Sequence, residues 1–245
     1  MTAFPYDKTI VALTQTSPAS VGDVVRTLQR IDAECVQGDG LKWFNALYLD
    51  VTNAVQSRIA QGGLGDGAWL ARLDVEFAKL YLEALGSHLQ GVPSPSCWNV
   101  FLDVRTDIRL ERIQFAMAGI NAHINHDLPK AIVATARATG TPPVHGSPQY
   151  RDYTAVNATL EQLIDTAKQT LRVRLLGDSL PPVSHVENTI AGWKVTAARE
   201  GSWRNSELLW HLQAVPALSE SFLNTLDGLT TVVGKALLVP VPVVV

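Results

Sequence analysis

Pro129 interrupts a long stretch of helical period, "IRLERIQFAMAGINAHINHDLPKAIVATARATG", and constrains the fold more than any other residue. A proline inside a helix removes one backbone hydrogen bond and presses its ring on the carbonyl four residues back. That carbonyl belongs to Asn125, so the spacing predicts a kink or an opening at Asn125 and His126. A second helix starting there, with Asp127 near its N-terminus, would meet the same constraint. The same place holds two histidines, two asparagines and an aspartate within seven positions, Asn121 to Asp127. Packing alone does not need five polar groups together. Buried polar groups require partners, so the cluster is either a satisfied network or a site.

A helical wheel at about 100° per residue separates these groups. Ile113, Met117, Ile120, Ile124 and Leu128 share one arc, the core face. Asn121 and Asn125 border one edge of it. His123 and Asp127, four residues apart and therefore neighbours, border the other. His126 lies further round. Ala118, Gly119 and Ala122 are small and would let another helix or a ligand approach closely. Arg112 and Lys130 share the line of His123, so a solvated face is the competing reading of that line.

The remainder of the chain also reads as helix after helix. Asp39 and Gly40 open a stretch with Trp43 or Phe44, Leu47, Val51 and Val55 at helical spacing. Asp66 caps a second, with Leu70, Leu73, Phe77, Leu80 and Leu85. Ser94–Pro95 and Ser147–Pro148 are N-cap and first-turn pairs. Asp107 is the expected start of the central helix, Gly140 its end, Ser202 a further cap, and Pro216 a stop. Only "KTIVALT" near the start and the valine-rich tail suggest strands. One all-α domain over residues 1–245, a bundle of about eight helices around a central kinked helix, is the simplest packing. Residues 1–18 form an N-terminal arm and 236–245 an apolar tail.

A chain of 245 residues with 47% hydrophobic and 18% charged residues can bury a substantial core. The net charge of −3 and the lack of a basic block argue against nucleic-acid binding. No stretch reaches the roughly 18 apolar residues of a spanning helix, and no signal peptide is apparent. The two cysteines, Cys35 and Cys97, fit a reduced, cytoplasmic setting. No serine-hydrolase elbow, phosphate loop or dinucleotide fingerprint is present.

The chemistry therefore rests on the polar cluster. His123 and Asp127 can present an imidazole and a carboxylate to one divalent metal, zinc, iron or manganese. His126 would add a ligand if the kink turns it inward, and other helices offer Asp74 as a candidate, with Asp50, Glu76 and His88 as further choices. Without a metal, the pair is a histidine base oriented by a carboxylate, with Asn121 and Asn125 as a carbonyl or oxyanion clamp. Arg199 can clamp an anionic substrate, and Trp203, Tyr81 and Trp98 can line a pocket for a largely hydrophobic one. The competing reading of the aromatics is plain core. A non-catalytic binding or interaction protein, its polar network merely fixing the kink, is the further alternative.

"GDGLKWFNALYLDVT", "LDVEFAKLYLEA", "GINAHINHDLPKAI", "DYTAVN" and "GWKVTAAREGSW", in that order, resemble the bacterial domain of unknown function 5995 family. Its signature falls on Gly119, Asn121, Ala122, His123, Ile124, Asn125, Asp127 and Leu128. His126 stands at a variable position of that signature, so the resemblance favours His123, Asp127 and the asparagines. It implies a bacterial source and brings no settled activity. A hydrolase or a lyase/cyclase of specialised metabolism is the expectation drawn from that setting. The His123, Asp127 and Pro129 spacing is also similar to the all-helical zinc phospholipase C and P1 nuclease group. This chain lacks that group's N-terminal tryptophan ligand and a second matching helix, and "HVENT" from His185 does not supply one.

Overall fold

The computed structural model describes residues 3–171 and 181–240. All regular structure among them is helical: α1 (Asp7–Thr14), α2 (Val21–Glu34), α3 (Gly40–Ala60), α4 (Gly67–Leu89), α5 (Ser96–Leu102), α6 (Arg112–Ala122), a π-helical turn (His123–Asp127), α7 (Leu128–Thr139), α8 (Pro148–Ala155), α9 (Asn157–Thr170), α10 (Pro181–Gly192), α11 (Val195–Leu212) and α12 (Pro216–Leu237). Residues 172–180, at the end of one expected helix, and the valines beyond residue 240 lie outside the described residues.

The local signals act where the side chains can reach. Asp39 accepts from the Leu41 N–H, Asp66 from Trp69 and Ser147 from Tyr150, each satisfying an otherwise unpaired first-turn donor. Gly140 ends α7 in the left-handed conformation, φ 68°. Several expectations shift. Ser94 does not cap α5: Pro95 stands at that position, and the Ser94 hydroxyl donates to Asn99 Oδ1 at 2.6 Å. "KTIVALT" lies in α1, because Ile10 and Leu13 bury one helical face. The central helix starts at Arg112, where Glu111 and Gln114 form a reciprocal capping box. Ser202 lies inside α11, which runs unbroken to Leu212. Pro216 stands at the start of α12, where its missing N–H costs nothing.

One hydrophobic cluster draws on nearly every helix, with Phe44, Tyr48, Trp69, Tyr81, Trp98, Phe101 and Trp203 inside it. The α6–π–α7 rod runs through its centre, flanked by α3, α4, α5, α11 and α12. Gly119 allows α3 to come close: a Cβ there would overlap the Phe44 ring. The space left by the small residues is thus filled by a neighbouring helix. Buried Arg105 ties the N-terminal arm down. Its Nε donates to Asp39 Oδ1 at 2.9 Å and its Nη2 to Asp7 Oδ1 at 2.8 Å. Gln114 Nε2 donates to the Leu237 and Val239 carbonyls, both at 2.8 Å, and so fixes the end of α12. No helix among the described residues is long and apolar enough to cross a membrane.

Candidate functional site

Pro129 produces the expected opening as a widened turn. The Leu128 N–H reaches the His123 carbonyl, five residues back. In that register the carbonyl facing Pro129 belongs to Ile124 and not to Asn125. Ser202 Oγ of α11 donates to it at 2.7 Å. The extra residue in the turn is what brings both histidines onto one carboxylate. π-turns of this kind are frequent at functional sites.

Asp127 is 1% exposed. Its Oδ2 lies 3.0 Å from His123 Nδ1 and accepts from Trp98 Nε1 at 3.0 Å. Its Oδ1 lies 2.8 Å from His126 Nδ1. Burial pushes this carboxyl up, but the hydrogen bonds from His123 and His126 outweigh it and hold it well below the usual range. An ionised carboxylate only accepts, so both facing Nδ1 atoms carry hydrogen. Nε2 is then the lone-pair nitrogen of a neutral His123. Burial pushes the His123 imidazole down despite Asp127, which keeps it neutral at physiological pH.

The two edges of the central helix end differently. Asn121 Nδ2 donates to the Thr230 carbonyl of α12 at 2.9 Å, and Asn125 Nδ2 donates to Asn121 Oδ1 at 2.9 Å. On the other edge, His123 Nε2 is buried without a partner, as are the Tyr48 hydroxyl and Asp74 Oδ2. The His123 ring stacks on Phe77 at 3.4 Å and meets Tyr48 edge-on at 4.6 Å. A cavity of about 40 Å³ adjoins them, bounded by Tyr48, Asp74, Phe77, Leu128, Leu160 and Arg199 among others. His123 stands behind Phe77 and Tyr48 and does not line it. Burial raises the Asp74 carboxyl to about 7, within reach of proton exchange at neutral pH. Burial, reinforced by the Asp74 charge, pushes the Tyr48 hydroxyl well above its ordinary value.

Arg199 is 6% exposed. Its Nε donates to Asn157 Oδ1 and its Nη2 to the Tyr153 carbonyl, both at 2.7 Å, and the cation sits 3.9 Å from the Tyr153 ring centre. It forms no ion pair with a carboxylate among the described residues. Burial lowers its pKa. A buried cation without a counter-charge is costly.

The other sequence candidates separate. Trp98 belongs to the network through Asp127. Tyr81 is core, its hydroxyl donating to Asn45 Oδ1 at 3.3 Å. Trp203 is core among Trp69, Tyr150 and Tyr153, with Nε1 donating to Glu207 at 3.2 Å. Asp74 does not join His123 and Asp127 as a metal-ligand group. Among the described residues the three-member group whose ligand atoms lie within 4.8 Å of one another is Cys97, His126 and Asp227. Sequence reasoning took Tyr48 for core and did not place it at the cavity it lines. The signal was a tyrosine one turn from Phe44 on a helix that packs against the signature.

Fold and site together define an all-α bundle with a buried carboxylate shared by two histidines at a π-turn. The model of the family of unknown function DUF5995 matches residues 21–240, and the chain belongs to that family. The match spans the helices that build the site. No curated protein and no solved structure matches the chain.

Proposed function

We propose that this protein is a small-molecule enzyme whose proton-transfer groups are Asp74 and the His123–Asp127 pair. The observation that carries this reading is the gathering of three buried, unpartnered polar atoms around Phe77: the Tyr48 hydroxyl, Asp74 Oδ2 and His123 Nε2. Buried polar atoms without partners cost about 1–3 kcal/mol each. A substrate group that pairs with them recovers that cost on binding. Asp74 exchanges a proton near neutral pH. His123, oriented by Asp127, offers a bare Nε2 to a substrate that displaces the Phe77 ring. Arg199 holds an anionic or strongly polar group, and Leu128, Leu160 and Leu73 contact an apolar body.

The metal-free form of this reading fits the geometry better than a metal held by His123, Asp127 and Asp74. Asp127 Oδ2 already accepts from two nitrogen donors, and His123, Asp127 and Asp74 do not bring their ligand atoms together as one metal-binding group. Hydrolysis and a lyase or cyclase step both suit an acid–base pair beside a cation. A cytoplasmic role in bacterial specialised metabolism goes with it. Asn121 and Asn125 are then structural, because their amides are spent on Thr230 and on each other.

Incubating a bacterial small-molecule extract with the protein, followed by untargeted mass spectrometry, tests this. Wild type should deplete a compound that His123→Gln, Asp74→Asn and Tyr48→Phe leave intact while remaining folded. Equal depletion by wild type and all three variants would remove the proposal.

A further inference from the structure

The second histidine reaches a different group of side chains. His126 is 4% exposed and Cys97, in the first turn of α5, is 2% exposed. Asp227 of α12 is half-buried and accepts from the Cys97 N–H at 2.8 Å and the Ser96 N–H at 3.0 Å. One ligand atom from each of Cys97, His126 and Asp227 lies within 4.8 Å of the others. Because Asp127 engages His126 Nδ1, Nε2 is the nitrogen left for another partner.

We propose that Cys97, His126 and Asp227 form a divalent-metal site of the zinc class, distinct from the cavity at Tyr48 and Asp74. Thiolate, imidazole and carboxylate are the three donor types zinc takes, with bonds of about 2.0–2.3 Å. Three protein ligands leave a fourth position open, as in sites where the metal handles a water or a substrate. Asp127 supplies the carboxylate that commonly orients a metal-bound histidine through its other nitrogen. Each Asp227 oxygen keeps a lone pair after accepting its backbone N–H. Asp227 within the site and Asp127 beside it bring two negative charges, which favours a dication. Without metal the thiol stays protonated, pushed up by burial, by Asp127 and by the hydrogen bond to Asp227. On binding, the metal–sulfur bond forms, the S–H bond breaks and the proton leaves to solvent.

Cobalt(II) and zinc titrations of the metal-stripped, full-length protein test the assignment. Wild type should bind about one equivalent, show a thiolate-to-cobalt charge-transfer band and release about one proton. Cys97→Ala should abolish the band, His126→Gln should weaken binding at least about tenfold, and His123→Gln should leave both unchanged. Anomalous diffraction from a zinc-soaked wild-type crystal should place the ion between the three side chains, and this holds the test open if a variant fails to fold. No band in wild type, a band that survives Cys97→Ala, full affinity in His126→Gln, or an ion bound elsewhere would overturn the proposal. The three side chains would then be a hydrogen-bonded cluster that caps α5.

Discussion

The asparagine edge and the histidine edge of the central helix start from similar material: polar residues at i and i+4, flanking one apolar face. On the asparagine edge every amide that matters is spent on protein, with Asn121 tied to α12 and Asn125 tied to Asn121. On the histidine edge Asp127 accepts three hydrogen bonds, yet the imidazole it orients ends in an unpartnered nitrogen beside two more unpartnered groups. Burial of polar residues therefore does not mark a site by itself. Satisfied polar groups hold helices in register, and the unsatisfied ones are free to act on something else.

That contrast can be broken in four places, taken in order of expected effect on stability. Asp127→Ala removes the acceptor of two histidines and of Trp98 at a buried position. It should cost about 3–5 kcal/mol in urea unfolding, and a loss below 1 kcal/mol would mean the network holds little together. Asn121→Ala strands the Thr230 carbonyl and the Asn125 amide and should cost about 1–3 kcal/mol. It should leave turnover per folded molecule intact.

Asp74 gives the pH signature. Its folded pKa of about 7 lies above the unfolded value, so between roughly pH 4 and 7 the folded state holds the extra proton. Its contribution to stability is fully present below the unfolded pKa and falls as pH rises through 7, by at most about 1.4 kcal/mol per unit. His123 works in the opposite direction, because its folded pKa is depressed: its contribution is present above the unfolded value near 6.5 and is lost as pH falls from there through the folded pKa. The difference between wild type and Asp74→Asn isolates the first effect. A pH-independent difference would show that Asp74 is not a buried, proton-exchanging group. His123→Gln should perturb stability least, about 1 kcal/mol or below, because an amide can still donate to Asp127.

Much of this was legible in the sequence. Helical period, the caps at Asp39, Asp66 and Ser147, the Gly140 stop and the disruption by Pro129 are all written within a few residues of where they act. The errors were also local in origin. A seven-residue apolar run such as "KTIVALT" reads as strand or helix until its packing is known. Ser202 resembles a cap after Gly201, but its hydroxyl goes to the Ile124 and Ala198 carbonyls from within α11. The wheel put His126 away from Asp127 because it assumed an α-turn where the chain makes a π-turn. Tyr48 beside Asp74, and Cys97 beside His126 and Asp227, come together only through helix packing across tens of residues, which no local pattern records.

The most direct test of the contrast is turnover per folded molecule, measured side by side for Asn121→Ala and His123→Gln on the compound that wild type consumes. Asn121→Ala should melt earlier and turn over normally, whereas His123→Gln should melt near wild type and lose about 10²–10⁴-fold in rate. Normal turnover in His123→Gln, or its loss in well-folded Asn121→Ala, would contradict the assignment of the histidine edge as the working one.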